Sequence, residues 1–386
     1  MAFLAVPPSY LKLELKGVCP MKKNASFLSF IFAAGLFAGL TGSPAPAQDA
    51  PRAPRKIQLT PADVAAAKEA TVVFRHAHPA KNAQGTAFKR SEFAKPGQRS
   101  GSHSAPHSAS ASAGQNDRER FPADLAYLGG TVLPFAQSHP IFLLPNGSCP
   151  VATCWGDPDS FLTDFADSEL AHITDQYVAQ HSGGRYALGD EFTVAYNPTP
   201  STAPLTDTDI RAIVHAAALL SGETGYGHIF HVFLPPGQDE CFTAAAKTCY
   251  SPDVPDSFAF CAYHNSVDFT DVGHVLYSVQ PFQNVDGCRL RPGTPNGQLI
   301  DSTNSTLSHE LIEIITDPDG DAWLNFTNVL LAGEEIADEC DFFVVLPISP
   351  TQAAIFGDPT VFRVGRHLYA TQPEYSNNGH ACRVAP

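Results

Sequence analysis

The chain has 386 residues, and its 24 Lys and Arg against 39 Asp and Glu give a formal net charge of −15. This acidity excludes a basic nucleic-acid binder as the default class. Charged residues make up only 16% of the chain. No apolar run reaches the roughly 18 residues that a membrane-spanning helix needs, so a multi-span membrane protein is excluded as well.

The first 47 residues have the pattern of an export leader. A basic start at 21–23, a largely apolar run over 27–40 and the small-x-small triplet at 45–47 are typical of a bacterial secretory signal peptide. We therefore predict a signal peptide over 21–47, with residues 1–20 lying upstream of the natural translation start. The mature protein is expected to be secreted or periplasmic, with no membrane association once the signal is removed.

Export accounts for the cysteine content. Beyond the leader the chain has an even number of cysteines, and an oxidising compartment favours four disulfides. The sequence leaves 105 possible pairings open, although the close spacing of the first two makes a small loop attractive. No C-x-x-C pair is present, which argues against a zinc finger. The cysteines are Cys149, Cys154, Cys241, Cys249, Cys261, Cys288, Cys340 and Cys382.

Residues 48–120 carry 12 Lys and Arg against 6 Asp and Glu and include a Ser-, His- and Ala-rich run. This composition predicts a disordered basic linker, or a pro-segment that inhibits the acidic remainder. Its one predicted helix begins at Thr60, with Pro61 in the first turn, and ends near Ala70. The histidines of this segment are interpreted as solvated spacer residues, with loose metal binding as the alternative: His76, His78, His103 and His107.

Residues 121–386 hold 8 Lys and Arg against 32 Asp and Glu and are expected to form one acidic domain. Capping residues, β-branched runs and Gly- or Pro-rich breaks predict alternating helices and strands, hence an α+β fold. The predicted helices cover 168–180, 207–220 (capped by Thr206 and closed by Gly222) and 302–315 (capped by Asp301). The predicted strands cover 192–196, 229–234, 258–263, 275–279, 342–346 and 367–371.

The sharpest chemical motif lies on the last of these helices. His309 and Glu313 are four residues apart and share one helix face, as two ligands of one metal ion must. Glu310 lies between them, so the motif is an H-E-x-x-E variant of the zincin H-E-x-x-H, with a carboxylate as second ligand. The simpler interpretation is a capping and charge-pairing helix face. An opposite face of Leu and Ile predicts that the helix packs against a core.

A dense acidic segment about twenty residues downstream offers a third ligand. We favour Glu335 for that role, with Asp338 as its supporting partner or substitute. A metzincin arrangement would use Asp319 instead, but Thr316 replaces the turn glycine and the mature chain has no Met. The run 317–321 is similar to a calcium loop, yet its Gly is one position early, so Ca²⁺ remains the lesser possibility.

The chain resembles a group of secreted bacterial and fungal proteins related to the plant phosphate-induced, or EXORDIUM-like, proteins. The resemblance rests on S-H-E-L-x-E-x-x-T-D-P at 308–318, Ala-Trp at 322–323 and E-I-x-D-x-C at 335–340. It also rests on C-A-Y-H-N at 261–265 and on the closing Y-x-x-Q, Y-S-N and Cys of 369–382. The resemblance implies site residues, and adds His264 as a ligand or oxyanion-stabilising group. A satisfied histidine beside a disulfide is the alternative. We also predict a disulfide between Cys340 and Cys382.

Together these features predict a zincin-like, disulfide-stapled mixed α+β fold with an active-site helix. The leading hypothesis is a secreted zinc-dependent hydrolase that acts on a peptide or protein substrate, with Glu310 as general base and Zn²⁺ as cofactor. The alternative is a non-catalytic extracellular module that binds a cell-wall polymer or receptor, with a structural metal or none. A third hypothesis makes Glu310 and Asp338 the acid and base of a glycoside hydrolase, which needs carboxylates about 5 to 9.5 Å apart.

Overall fold

The computed structural model describes residues 53–80, 123–145, 149–196, 204–243, 248–326, 331–341 and 360–386. They belong to one unit, Pro51–Pro386. In chain order the elements are β1 (Arg55–Ile57), α1 (Pro61–Glu69), β2 (Thr71–Pro79), β3 (Ala126–Tyr127), β4 (Ala136–Pro145), α2 (Val151–Cys154), α3 (Pro158–Phe165), α4 (Glu169–His172), α5 (Asp175–Val178), β5 (Tyr186–Leu188), β6 (Phe192–Tyr196), β7 (Leu205–Thr206), α6 (Asp207–Ser221), β8 (His228–Phe233), β9 (Glu240–Cys241), β10 (Cys249–Tyr250), β11 (Phe260–Phe269), β12 (Gly273–Gln280), α7 (Gln298–Thr316), β13 (Trp323–Leu324), α8 (Asp338–Asp341), β14 (Thr360–Val364), β15 (His367–Thr371), β16 (Glu374–Ser376) and β17 (Ala381–Arg383).

A mixed eight-stranded sheet organises the fold. Its strand order is β1-β6-β4-β8-β12-β11-β2, and β5 also pairs with β4. The first five strands of this order, β1, β6, β4, β8 and β12, run parallel to one another. The strand β11 is antiparallel to both of its neighbours, β12 and β2. The predicted mixed α+β class is therefore confirmed. The antiparallel strands β11 and β2 form one edge of the sheet, and that edge carries the candidate site.

The sheet is covered on both faces, because successive side chains of a buried strand point to opposite sides. On β4, Ile141 and Leu143 pack in the core under α6, while Phe142 packs in the core under α7. Leu307 and Leu311 of α7 belong to that second core, so the apolar face predicted for this helix is confirmed. The polar side chains of α7 are buried as well.

The capping signals of the sequence locate α6 well. Thr206 accepts a hydrogen bond from the Asp209 backbone, and Asp209 returns one to the Thr206 amide, which forms a capping box. Gly222 ends the helix in the left-handed conformation, with φ at 78°. The strand predicted over 192–196 coincides with β6, and the one over 367–371 coincides with β15.

Two predicted helices differ in the structure. The helix α7 begins one turn before 302, because the Asp301 carboxylate accepts hydrogen bonds from the Asn296 backbone and side chain instead of capping the helix. The segment 168–180 forms the two short helices α4 and α5. The Thr174 hydroxyl bonds the Ala171 carbonyl between them, and Ala179 ends α5 with a left-handed φ of 53°.

The prediction of a disordered linker over 48–120 is wrong for residues 53–80. These residues form β1, α1 and β2, and β2 pairs with β11 along most of its length. The helix predicted from Thr60 is confirmed, with a capping box at its start. The remainder of the predicted linker, the leader and the strand predicted over 342–346 lie outside the described residues. Among the described helices, none is long and apolar enough to cross a bilayer.

All eight cysteines that follow the predicted leader are paired, which confirms the predicted four disulfides. The pairs are Cys149–Cys154, Cys241–Cys249, Cys261–Cys288 and Cys340–Cys382. Disulfides of this density are typical of chains that fold in an oxidising compartment. The last pair joins α8 to the C-terminal hairpin formed by β16 and β17.

We expect that replacing Cys340 and Cys382 together by Ser lowers the free energy of unfolding by up to about 4 kcal/mol, the loop-closure value for a loop of this size. Their separation is 42 residues, against 5 for Cys149 and Cys154, so the matched double variant of that second pair should lose only about 2 kcal/mol. Urea unfolding measures both. Equal losses, or non-reducing peptide maps that pair Cys340 elsewhere, would contradict this account.

Candidate metal centre

Three histidines line the antiparallel edge of the sheet. His76 and His78 lie two residues apart on β2, so they share one face of the sheet. In the register with β11, His76 is directly opposite His264, and His78 is opposite Ala262. All three histidines are buried beneath α7. The ring planes of His76 and His264 are stacked, with centroids 5.5 Å apart.

The helix α7 brings the H-E-x-x-E motif onto the same face. His309 Nε2 lies 3.2 Å from Glu313 Oε1, so these side chains meet as their four-residue spacing predicts. The other Glu313 oxygen, Oε2, lies 3.5 Å from His264 Nδ1, and Glu310 Oε2 lies 3.0 Å from the same nitrogen. The His309 ring also stacks on His78, at 4.0 Å between centroids.

The acidic segment that leads into α8 completes the cluster. Asp338 Oδ1 lies 3.6 Å from His309 Nε2, and the Asp338 amide donates to Glu313 Oε1 at 3.3 Å. The other oxygen, Asp338 Oδ2, is hydrogen-bonded to His76 Nε2 at 2.5 Å. Glu335 Oε2 lies 3.4 Å from His76 Nδ1 and 3.6 Å from His264 Nε2. The predicted site residues therefore converge at one place.

The structure distinguishes the positions of the two downstream carboxylates. Asp338 contacts His309 and Glu313, whereas the short ion-pair contacts of Glu335 are with His76 and His264. The sequence favours Glu335 as third ligand of His309 and Glu313. The geometry favours Asp338, the substitute that the sequence also offers.

Several polar atoms of this cluster have no hydrogen-bond partner among the described residues. They are both ring nitrogens of His309, His264 Nε2, Glu310 Oε1 and Glu313 Oε2. Every one of these side chains is 0% exposed. A buried polar atom without a partner is costly, and imidazole nitrogens beside carboxylate oxygens are the donor set that Zn²⁺ prefers. The residues therefore fit a divalent cation.

The electrostatics of the cluster favour a bound positive charge. Burial lowers the pKa of His264, but Glu310 and Glu313 outweigh burial and raise that pKa to about 9. Burial also opposes the charged form of His309, yet Glu313 holds its pKa well above the usual value. Without a cation these histidines bind protons to balance the buried carboxylates. Metal ions displace such protons when they bind.

Two weaker predictions concern the turn after α7. Asp317 Oδ1 accepts hydrogen bonds from the backbone amides of Asp321 and Ala322, both at 2.8 Å, as in a helix-terminating turn. Asp319, the third ligand in a metzincin arrangement, accepts a hydrogen bond from Tyr226 and lies 3.4 Å from His274. The ligand set at His309 is therefore not of the metzincin kind, and a Ca²⁺ loop remains a prediction.

The interpretation of His76 and His78 as solvated spacer residues is wrong, because β2 buries both. The signal available in the sequence is the run 71–78, in which Val and Phe precede an H-x-H pair. β-branched and aromatic residues favour a strand, and a two-residue spacing places both histidines on one face of it. The basic, Ser-rich composition of the surrounding residues indicated a disordered linker and outweighed this pattern.

Comparison of the chain with protein-family models, with curated proteins and with solved structures found no match. The resemblance to EXORDIUM-like proteins therefore stays a prediction.

Proposed function

We propose that this protein is a secreted zinc-dependent hydrolase whose zinc is held by His309, Glu313 and Asp338. The observation that carries the proposal is the unpartnered, buried Nε2 of His309, with Glu313 Oε1 at 3.2 Å and Asp338 Oδ1 at 3.6 Å. Atoms on one tetrahedral zinc ion lie about 3.4 Å apart, since zinc–ligand bonds are about 2.0–2.2 Å long. The 3.6 Å separation is too long for a direct hydrogen bond, the 3.2 Å separation is at the upper limit of one, and both are compatible with shared coordination.

When bound, zinc would lower the pKa of a coordinated water and polarise the bond to be cleaved. Glu310 is the residue proposed to take up the proton. Its Oε2 is engaged by His264, while its Oε1 has no partner among the described residues and is available to a water or substrate. A carboxylate with one anchored and one available oxygen is oriented for general base catalysis.

The role of His264 changes with this geometry. The sequence offers it as a ligand or as an oxyanion-stabilising group. Its Nδ1 is bonded to Glu310 and its Nε2 faces Glu335, so both ring nitrogens are directed at carboxylates of the cluster. We therefore do not assign His264 an oxyanion-stabilising role, and its Nδ1 serves to orient Glu310. Peptide or protein substrates remain the proposed class, because Glu310 on a zinc-binding helix follows the zincin pattern.

One observation favours the alternative of a non-catalytic module with a structural metal. None of the proposed ligands is more than 3% exposed, and a structural zinc site is closed whereas a catalytic one keeps a position open. In that case the acidic surface would bind a cell-wall polymer or receptor. Turnover under defined metal loading separates the two functions.

The experiment uses the secreted full chain, stripped of metal and then reloaded with zinc, and follows cleavage of unfolded protein substrates by mass spectrometry. We expect cleavage only after reloading, and in His309→Ala the loss of the zinc held by His309 together with the loss of cleavage. A chain that binds zinc through His309 but cleaves no unfolded protein would exclude the peptidase and support the structural alternative. A zinc content of His309→Ala equal to that of the natural chain would contradict the assigned ligands.

A further inference from the structure

A second group of ligand atoms surrounds Glu335, apart from the three atoms assigned to the first ion. Glu335 Oε2 lies 3.4 Å from His76 Nδ1 and 3.6 Å from His264 Nε2. All three side chains are at most 2% exposed. His264 Nε2 has no hydrogen-bond partner among the described residues, and it is aimed at this carboxylate.

Each of the two histidines is hydrogen-bonded through its other ring nitrogen to a further carboxylate. His264 Nδ1 is hydrogen-bonded to Glu310 at 3.0 Å, and His76 Nε2 is hydrogen-bonded to Asp338 at 2.5 Å. In a neutral imidazole, the nitrogen that donates to a carboxylate carries the proton, so the opposite nitrogen has the lone pair. The lone pairs of His76 Nδ1 and His264 Nε2 thus face Glu335. This carboxylate–histidine arrangement is the one that orients metal-binding imidazoles.

The distances also suit coordination better than direct bonding. At 3.4 and 3.6 Å, the two nitrogens exceed the usual 2.7–3.2 Å of an N–H···O hydrogen bond. They match the roughly 3.4 Å between two ligand atoms on one zinc ion. Two histidines and a carboxylate are a common catalytic zinc ligand set.

Charge balance points to the same conclusion. Glu310, Glu313, Glu335 and Asp338 bring four carboxylates into one buried cluster. One divalent cation neutralises only half of that charge, and an uncompensated buried charge is expensive. A second divalent cation, with neutral histidines, offsets the charge of the other two carboxylates, and Glu334, which lies near His76 and Asp338, adds further negative charge.

We propose that His76 Nδ1, His264 Nε2 and Glu335 bind a second divalent cation beside the first, so that the protein has a two-zinc centre. Asp338 links the two positions, since its Oδ1 faces His309 and its Oδ2 bonds His76. The inference rests on the proposed metal site at His309. It deepens the proposed function, because a second cation places the enzyme among two-metal hydrolases.

The test counts zinc per chain by mass spectrometry after dialysis of the full secreted protein against zinc and then against buffer. We expect about two zinc ions in the natural chain and about one in His76→Gln, in Glu335→Gln and in His309→Ala. Glu223→Gln is the matched control. Glu223 forms a separate group with His139 and His228, so this variant should keep both ions.

Different outcomes separate the two proposals. If the natural chain binds one zinc ion that is lost in His309→Ala and retained in His76→Gln, the second position is wrong and the first position stands. If it binds one zinc ion that is lost in His76→Gln and retained in His309→Ala, the second position is supported and the proposed catalytic site is wrong. Two ions of which one is lost in Glu223→Gln overturn the second position too. An anomalous difference map of zinc-soaked crystals needs no variant and should show a peak between His76 Nδ1 and His264 Nε2.

Discussion

Glu310→Gln is expected to lower kcat by about 10²- to 10⁴-fold while the zinc content stays the same. The loss is the usual contribution of a positioned general base. Glutamine keeps the size of the side chain and an oxygen that accepts the hydrogen bond of His264 Nδ1, so the cluster should hold its geometry. It cannot take up a proton from water. The measurement is the rate of substrate cleavage at equal, verified zinc loading.

Glu339→Gln is the matched control for that variant. Glu339 is buried in α8, next to the proposed ligand Asp338, and accepts a hydrogen bond from Asn325. Burial raises its pKa to about 9, so it is uncharged at neutral pH and glutamine replaces it without a change of charge. The control should cleave at the natural rate. If Glu310→Gln cleaves as fast as Glu339→Gln, the general-base role is wrong.

The parts of the fold that are fixed by short-range signals were predictable. The capping box at Thr206 and the C-terminal Gly222 defined α6, and the same signal at Thr60 defined α1. An even number of cysteines beyond a predicted signal peptide predicted four disulfides. Between α4 and α5, the helix is ended by a hydrogen bond from the Thr174 side chain. Periodicity does not register such a bond, and it predicted one helix in place of two.

The candidate site was predictable only in part, because some of its residues meet through local spacing and others through the pairing of distant strands. The spacing of His309 and Glu313 is local, and the helix brings them together whatever the rest of the chain does. His76 reaches the cluster through the register of β2 on β11, a pairing across about 190 residues that no local pattern encodes. The choice between Glu335 and Asp338 also depends on that strand, since His76 contacts both.

The same strand is anchored from its other face by a partly buried ion pair, and we expect the largest stability effect from breaking it. Asp207 is 1% exposed and pairs with Arg75 of β2. It also accepts hydrogen bonds from Tyr277 at 2.7 Å and from Tyr263 at 3.1 Å. Burial of a basic residue is tolerated here because its counter-charge is supplied by the first residue of α6. This pairing explains why a segment with linker-like composition belongs to the sheet.

Asp207→Ala is therefore expected to lower the free energy of unfolding by about 3 to 5 kcal/mol, because it leaves Arg75 without its counter-ion. Urea unfolding of the full chain measures the loss. Asp209→Ala is the matched control on the same helix. It removes only the capping interaction with Thr206 and should cost about 1 kcal/mol. Equal costs for the two variants would contradict the anchoring of β2 by Asp207.

A double variant that also replaces Glu240 tests the anchoring of β2 by Asp207 more strictly. Burial, and then the charge of Asp207, raise the pKa of Glu240 well above its usual value, which favours its protonated form. Without Asp207 that pKa falls, and Glu240 can ionise and replace part of the missing charge near Arg75. The double variant Asp207→Ala/Glu240→Gln removes this compensation and should be less stable than Asp207→Ala alone. Equal stability of the two would mean that Arg75 needs no buried partner, and that β2 is retained by its pairing with β11 and by the metal centre on its other face.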